Sequence, residues 1–133
     1  MQSYDLNGNL STLSPPSRPA HMLSYDDRDL RTGYSPPDLG FSPRDTAWSY
    51  DADRALDVTS YPDGQLIDRD YDAAGRLSAL TADGETRARS YHPTTGQLAE
   101  VVTPDVTLSY LYDGHLLTTA GWSGAVSGSV ELS

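Results

Sequence analysis

The chain contains no cysteine, which excludes both a disulfide framework and a thiolate metal site. It also contains no lysine, so all nine cations are arginines against nineteen acids, for a net charge of −10. Nucleic-acid binding needs clustered cations facing phosphate, and this balance argues against it. Glutamate is scarce, at three residues against sixteen aspartates. Aspartate makes turns with its own backbone whereas glutamate favours helices, so most of the charge reads as turn chemistry. No apolar run is long enough to span a membrane as a helix. The beginning, Met1-Gln2-Ser3-Tyr4-Asp5, has neither a basic region nor an apolar stretch of the signal-peptide kind. Helix is hard to place anywhere: Ala73 to Leu80 is the best candidate, and Gly75 interrupts it.

What is present is repetition. Tyr4-Asp5-Leu6-Asn7-Gly8-Asn9-Leu10 and Tyr71-Asp72-Ala73-Ala74-Gly75-Arg76-Leu77 share the form Y-D-x-x-G-x-L. Looser copies start at Tyr25, Tyr50, Tyr91 and Tyr112, with Leu56, Gly96, Leu98 and Gly114 at the corresponding later positions. The tyrosines are 21, 25, 21, 20 and 21 residues apart. A fixed period of this length marks a repeat architecture, in which each unit buries surface against its neighbours.

Each copy carries two turn signals. One follows the tyrosine, where glycine supplies a positive φ near the end of a four-residue loop. The other lies about a dozen residues on, as Pro15-Pro16-Ser17, Pro36-Pro37-Asp38, Pro62-Asp63-Gly64, Ala82-Asp83-Gly84 and Pro104-Asp105. The stretches between have strand length, and roughly twelve short antiparallel strands are expected, an all-β fold of tandem hairpins forming a continuous curved or spiralling sheet. Asp29 and Arg54 stand where the pattern has glycine, so the turns after Tyr25 and Tyr50 are expected to differ in geometry. The longer step from Tyr25 to Tyr50 leaves room for a loop around Pro36 to Gly40. Gly128 to Ser133 reads as half a hairpin without its partner.

Alternation assigns the faces. The tyrosine face takes His21, Leu23 and Tyr25; Thr46, Trp48 and Tyr50; Ile67, Arg69 and Tyr71; Arg87, Arg89 and Tyr91; Leu108, Tyr110 and Tyr112. It mixes aromatic, aliphatic and arginine side chains, so inside and outside stay open.

No catalytic, cofactor-binding or metal-binding residue is expected. A calcium loop started at Asp51 would need glycine at Leu56 and an acid at Pro62. His21, His92 and His115 are isolated, and Trp122-Ser123-Gly124 is not a nucleophile elbow. Trp48 reads as packing; Trp122, flanked by glycines, suits packing and sugar stacking equally.

The repeated phrase resembles the Rhs/YD-repeat family over essentially the whole chain. Tyr91-His92-Pro93-Thr94-Thr95-Gly96-Gln97-Leu98 is similar to that family's one-residue-longer variant. Bacterial Rhs proteins, the B and C components of insecticidal toxin complexes and the teneurins are similar in this respect. The resemblance implies residues 1–133 as a single array of about six hairpin repeats, a segment of a longer shell or one unit of an assembly. It implies a non-enzymatic structural role in enclosing or displaying a toxin polypeptide, outside the cell by a non-classical or dedicated route. The implied partners are neighbouring YD repeats joined through sheet edges, and an enclosed toxin polypeptide or a surface carbohydrate. The alternative is a self-assembling extracellular fibre subunit or a carbohydrate-binding surface module.

Overall fold

The computed structural model describes residues 1–40 and 45–132. Among these there are thirteen strands and no helix. They are β1 (Gln2–Tyr4), β2 (Leu10–Leu13), β3 (His21–Tyr25), β4 (Arg31–Ser35), β5 (Thr46–Tyr50), β6 (Leu56–Ser60) and β7 (Leu66–Tyr71). After these come β8 (Leu77–Ala82), β9 (Glu85–Tyr91), β10 (Leu98–Val102), β11 (Val106–Asp113), β12 (Leu116–Gly124) and β13 (Gly128–Glu131).

The chain divides into two compact units, Met1–Asp68 and Arg69–Ser133. Within each, strands pair antiparallel in sequence order, β1 to β7 in the first and β8 to β13 in the second. The fold is thus all-β and made of tandem hairpins, the expected class. The strand total is one higher than the roughly twelve expected. β13 is the reason: Val130 and Gly128 pair with Ala120 and Trp122 of β12, so this segment has its hairpin partner after all. Ser133 lies outside the described residues.

The turns fall where glycine, proline and aspartate placed them. Asp83 and Gly84 join β8 to β9 with φ of 54° and 80°, the two positive values that a tight type I′ hairpin turn requires. The long step between Tyr25 and Tyr50 is taken up between β4 and β5, where residues 36 to 40 form no strand.

The two faces differ in exposure. In β3, β5 and β7 the burial alternates, and half-buried positions are His21, Leu23, Tyr25, Thr46, Trp48, Tyr50, Ile67, Arg69 and Tyr71. These are the residues that alternation assigned to the tyrosine face. Tyr110 and Tyr112 follow suit in β11, between exposed Ser109, Leu111 and Asp113. Even so, no hydrophobic side chain is buried among the described residues, and only Thr59 is. A layer of strands buries a face only against a second layer, and neither unit supplies one.

Candidate functional site

The repeat is a piece of hydrogen-bonding hardware. After Tyr4, the Asp5 N–H donates to the Asn9 carbonyl (2.9 Å) and the Gly8 N–H donates to the Asp5 carbonyl (3.2 Å). The Asp5 carboxylate accepts the N–H groups of Asn7 and Asn9 at 2.9 and 2.8 Å. Asp72 repeats this with the N–H groups of Ala74 and Arg76 (2.9 and 3.0 Å), and Asp26 with those of Arg28 and Leu30 (3.0 and 2.9 Å). Asp51 accepts from Ala55 at 2.8 Å. The aspartate of the motif is therefore an internal cap for its own turn.

These bonds hold the carboxyl groups below the usual aspartate range. For Asp5 the main cause is the Asn9 backbone N–H, opposed by partial loss of water. For Asp26, loss of water is the largest influence and opposes the shift, but the Leu30 N–H and Arg28 outweigh it. For Asp72 the hydrogen bond donated by the Arg76 side chain leads, at 2.8 Å, followed by the Arg76 backbone N–H.

The turns after Tyr25 and Tyr50 do not differ from those after Tyr4 and Tyr71. Asp29 and Arg54 take φ of 62° and 67°, close to the 75° and 89° of Gly75 and Gly8. Their N–H groups bond the Asp26 and Asp51 carbonyls at 3.2 Å, as Gly8 bonds Asp5. The carboxylate cap and the paired strands impose the turn, and the non-glycine residue carries the left-handed strain.

Tyrosine links one repeat to the next. The Tyr25 hydroxyl donates to the Leu10 carbonyl (3.2 Å), Tyr50 to that of Arg31 (2.8 Å) and Tyr91 to that of Leu77 (2.8 Å). Each acceptor is the sixth residue after the preceding repeat tyrosine. Leu10, Leu56, Leu77 and Leu98 all open the outgoing strands of their hairpins. Register shifts beside Tyr4, Tyr25, Tyr50 and Tyr112 adjust the strand there, the usual device for re-aiming a side chain. The first of these tyrosines, Tyr4, is 57% exposed and turns to Gln2 Oε1 instead (2.9 Å).

A second set of bonds ties turn to turn. The Asn7 and Asn9 side-chain amides donate to Asp29 at 2.8 and 2.7 Å, and Arg28 donates to the Asp51 carbonyl at 2.8 Å. In the other unit Arg76 donates to the Gly96 carbonyl (3.4 Å) and Gln97 to that of Gly114 (2.8 Å). Sequence reasoning missed this rail, although polar residues beside each turn glycine were its signal. Two arginines also stack on rings of the tyrosine face: Arg31 lies 4.5 Å over the Trp48 ring and Arg76 4.3 Å over Tyr91. Trp48 is packed, as expected. Trp122 lies flat against Gly128 and remains 36% exposed.

His21 stacks on Tyr34 and shares a 2.7 Å hydrogen bond with its hydroxyl, an ordinary placement in the sheet. His92 takes the aspartate's place as cap, its Nδ1 accepting from the N–H groups of Thr94 and Thr95 at 3.4 Å. Among the described residues no three His, Asp or Glu side chains come together as a metal ion would need. Among the described residues no helix is long and apolar enough to cross a membrane.

A hairpin array capped by aspartate and stitched by tyrosine defines a class of structural repeat proteins. The Teneurin YD-shell family matches residues 1–131, and the chain belongs to that family. No curated protein matches it in sequence. Among solved structures it is similar to the crystal structure of TcdB2-TccC3-TEV, at 17% identity and a TM-score of 0.69, over 98% of this chain and 8% of that one. It is also similar to TcdB2-TccC3 without the hypervariable C-terminal region, at 13% identity and a TM-score of 0.65, over 98% and 9%. The Photorhabdus luminescens Tc holotoxin pore shares the fold at 16% identity and a TM-score of 0.55, again over 98% and 9%. The chain spans about a tenth or less of the length of these structural relatives.

Proposed function

We propose that the chain is a non-enzymatic wall segment of a YD-repeat shell that encloses or displays a toxin or effector polypeptide. The observation that carries this reading is the absence of a buried hydrophobic side chain among the described residues. Each unit builds complete hairpins with regular bonding between repeats, yet covers neither face. A sheet of this kind works as wall, with its faces completed by other repeats or by what they surround. On this reading residues 1–133 are one array of six repeats within a longer polypeptide. Its partners are neighbouring YD repeats at the sheet edges and the enclosed polypeptide, and it acts outside the cell or at its surface.

Electron cryomicroscopy of the natural polypeptide that carries these residues tests the reading. The expected result is a hollow β-walled particle with these strands in the wall and density inside it. A solid particle, or these strands lying away from any lumen, overturns it.

A second reading has its own support. β1 and β13 are exposed along their whole length, and exposed edge strands are templates for pairing with other chains. That favours a self-assembling fibre subunit, which the size measurement closing the Discussion separates from the wall.

A further inference from the structure

Two successive turns of the second unit do the same job with different parts: the second is one residue longer, has His92 where the first has Asp72, and has Gln97 where the first has Arg76. Arg76 and Gln97 each follow the positive-φ glycine of their turn, Gly75 and Gly96. The Arg76 guanidinium makes three contacts. It holds the Asp72 carboxylate at 2.8 and 2.7 Å, donates to the Gly96 carbonyl at 3.4 Å, and lies 4.3 Å over the Tyr91 ring.

Gln97 reproduces only the second of these, donating to the Gly114 carbonyl at 2.8 Å. Its side chain is too short to do that and also cover the next tyrosine. Among the described residues no arginine stacks on Tyr112 as Arg76 does on Tyr91. A groove of ≈ 340 Å³ opens at this place, lined by His92, Thr95, Gln97, Tyr110, Tyr112 and Gly114 among others. His92, Gln97, Tyr110 and Tyr112 hold the repeat positions of Asp72, Arg76, Arg89 and Tyr91 one repeat earlier, so the groove keeps the ring and the carbonyl of the earlier site and has an imidazole in place of its carboxylate.

We propose that this groove binds an arginine side chain presented by a segment of a partner polypeptide, with its guanidinium over the Tyr112 ring. The same fold already holds a guanidinium at the equivalent place one turn before. A tyrosine face attracts a planar cation through its quadrupole. The Gly114 carbonyl has a second lone pair beyond the one Gln97 uses. Tyr110 stands at the repeat position of Arg89, so the groove's lining has a second aromatic ring there and no arginine. The volume is at the small end for ligand pockets, suited to one side chain rather than to a folded surface. This site goes beyond the wall reading and does not depend on what the array encloses.

The test is an NMR titration of the 133-residue chain with a blocked Gly-Arg-Gly tripeptide, and with the same peptide carrying uncharged citrulline. The arginine peptide is expected to shift the ring resonances of Tyr112, Tyr110 and His92, and the citrulline peptide to shift them several-fold less. Gln97→Arg should fill the groove from within and abolish the response. Arg76→Gln should open a second groove and add a response at Tyr91. Equal response to citrulline, shifts spread away from these rings, or an unaltered response in Gln97→Arg overturns the proposal. The two-peptide comparison stands on the unmodified chain even where a variant fails to fold.

Discussion

The hydroxyl of Tyr91 donates to the main-chain carbonyl of Leu77, fourteen residues earlier, at 2.8 Å. That bond joins two repeats at the first residue of an outgoing strand. Tyr25 and Tyr50 make the same connection in the other unit, to Leu10 and Arg31. With no hydrophobic side chain buried among the described residues, such bonds between repeats weigh more than they would in a globule.

Tyr91→Phe keeps the ring beneath Arg76 and deletes only the hydroxyl. It should lower stability by about 1 kcal/mol, the net worth of one part-buried hydrogen bond. Urea unfolding checks this, with the slope unchanged and the midpoint lowered. A midpoint equal to that of the parent would mean the hydroxyl serves no structural purpose.

The turn after Tyr50 offers a change in the opposite direction. Arg54 sits at φ 67°, where a side chain costs about 1 kcal/mol relative to glycine. Arg54→Gly should therefore stabilise the chain by about that amount. Gly75→Ala should cost about 1–2 kcal/mol, although nothing lies within 4 Å of where its Cβ would stand. Thermal unfolding of the two variants should move in opposite directions.

How much of this was legible beforehand follows from what kind of force sets each feature. Strand alternation and turn composition report burial and backbone preference directly, so the faces of β3, β5 and β11 and the turns at Pro62 to Gly64 and Ala82 to Gly84 could be read. The turns at Asp29 and Arg54 could not, because the expected glycine is only a preference. The caps of Asp26 and Asp51 outweigh the modest strain of its replacement. Gly128 to Ser133 could be read as half a hairpin but its pairing with β12 could not, because Gly128-Ser129-Val130-Glu131 is exposed at every position and hydrophobic patterning gives no sign of a partner. The groove at Tyr112 needed both the aligned repeats and the stacking of Arg76 on Tyr91 in the fold.

Acid should unfold the chain through its turns. Asp5, Asp26 and Asp72 have folded values below the ordinary 3.8, so the unfolded chain takes up protons first as pH falls. Their contribution is full above the unfolded value and is lost as pH drops through the lower folded ones. Urea midpoints should hold steady from neutrality to about pH 5 and decline below about pH 4. Asp72→Asn should flatten that decline while lowering stability at neutral pH. A decline of unchanged steepness would show that the turn caps do not drive the acid response.

Arg89 carries a cost of its own. Its Nη1 atom is buried and has no hydrogen-bond partner among the described residues, and its cross-strand neighbour is Val101. Leaving a buried donor unsatisfied costs about 1–3 kcal/mol. Arg89→Met keeps the length and removes the donor, and should leave stability equal or raise it by about 1 kcal/mol. A loss of stability in urea unfolding would mean that Arg89 is paired in solution.

Wall and fibre differ in the size of the particle they form, and size in solution tests the proposed wall role most directly. Light scattering from the purified 133-residue chain, with electron microscopy of the same sample, should give a monomer of 14.4 kDa and no ordered assembly. Regular filaments or rings growing from the exposed edges at β1 and β13 would contradict the account and make self-assembly the function.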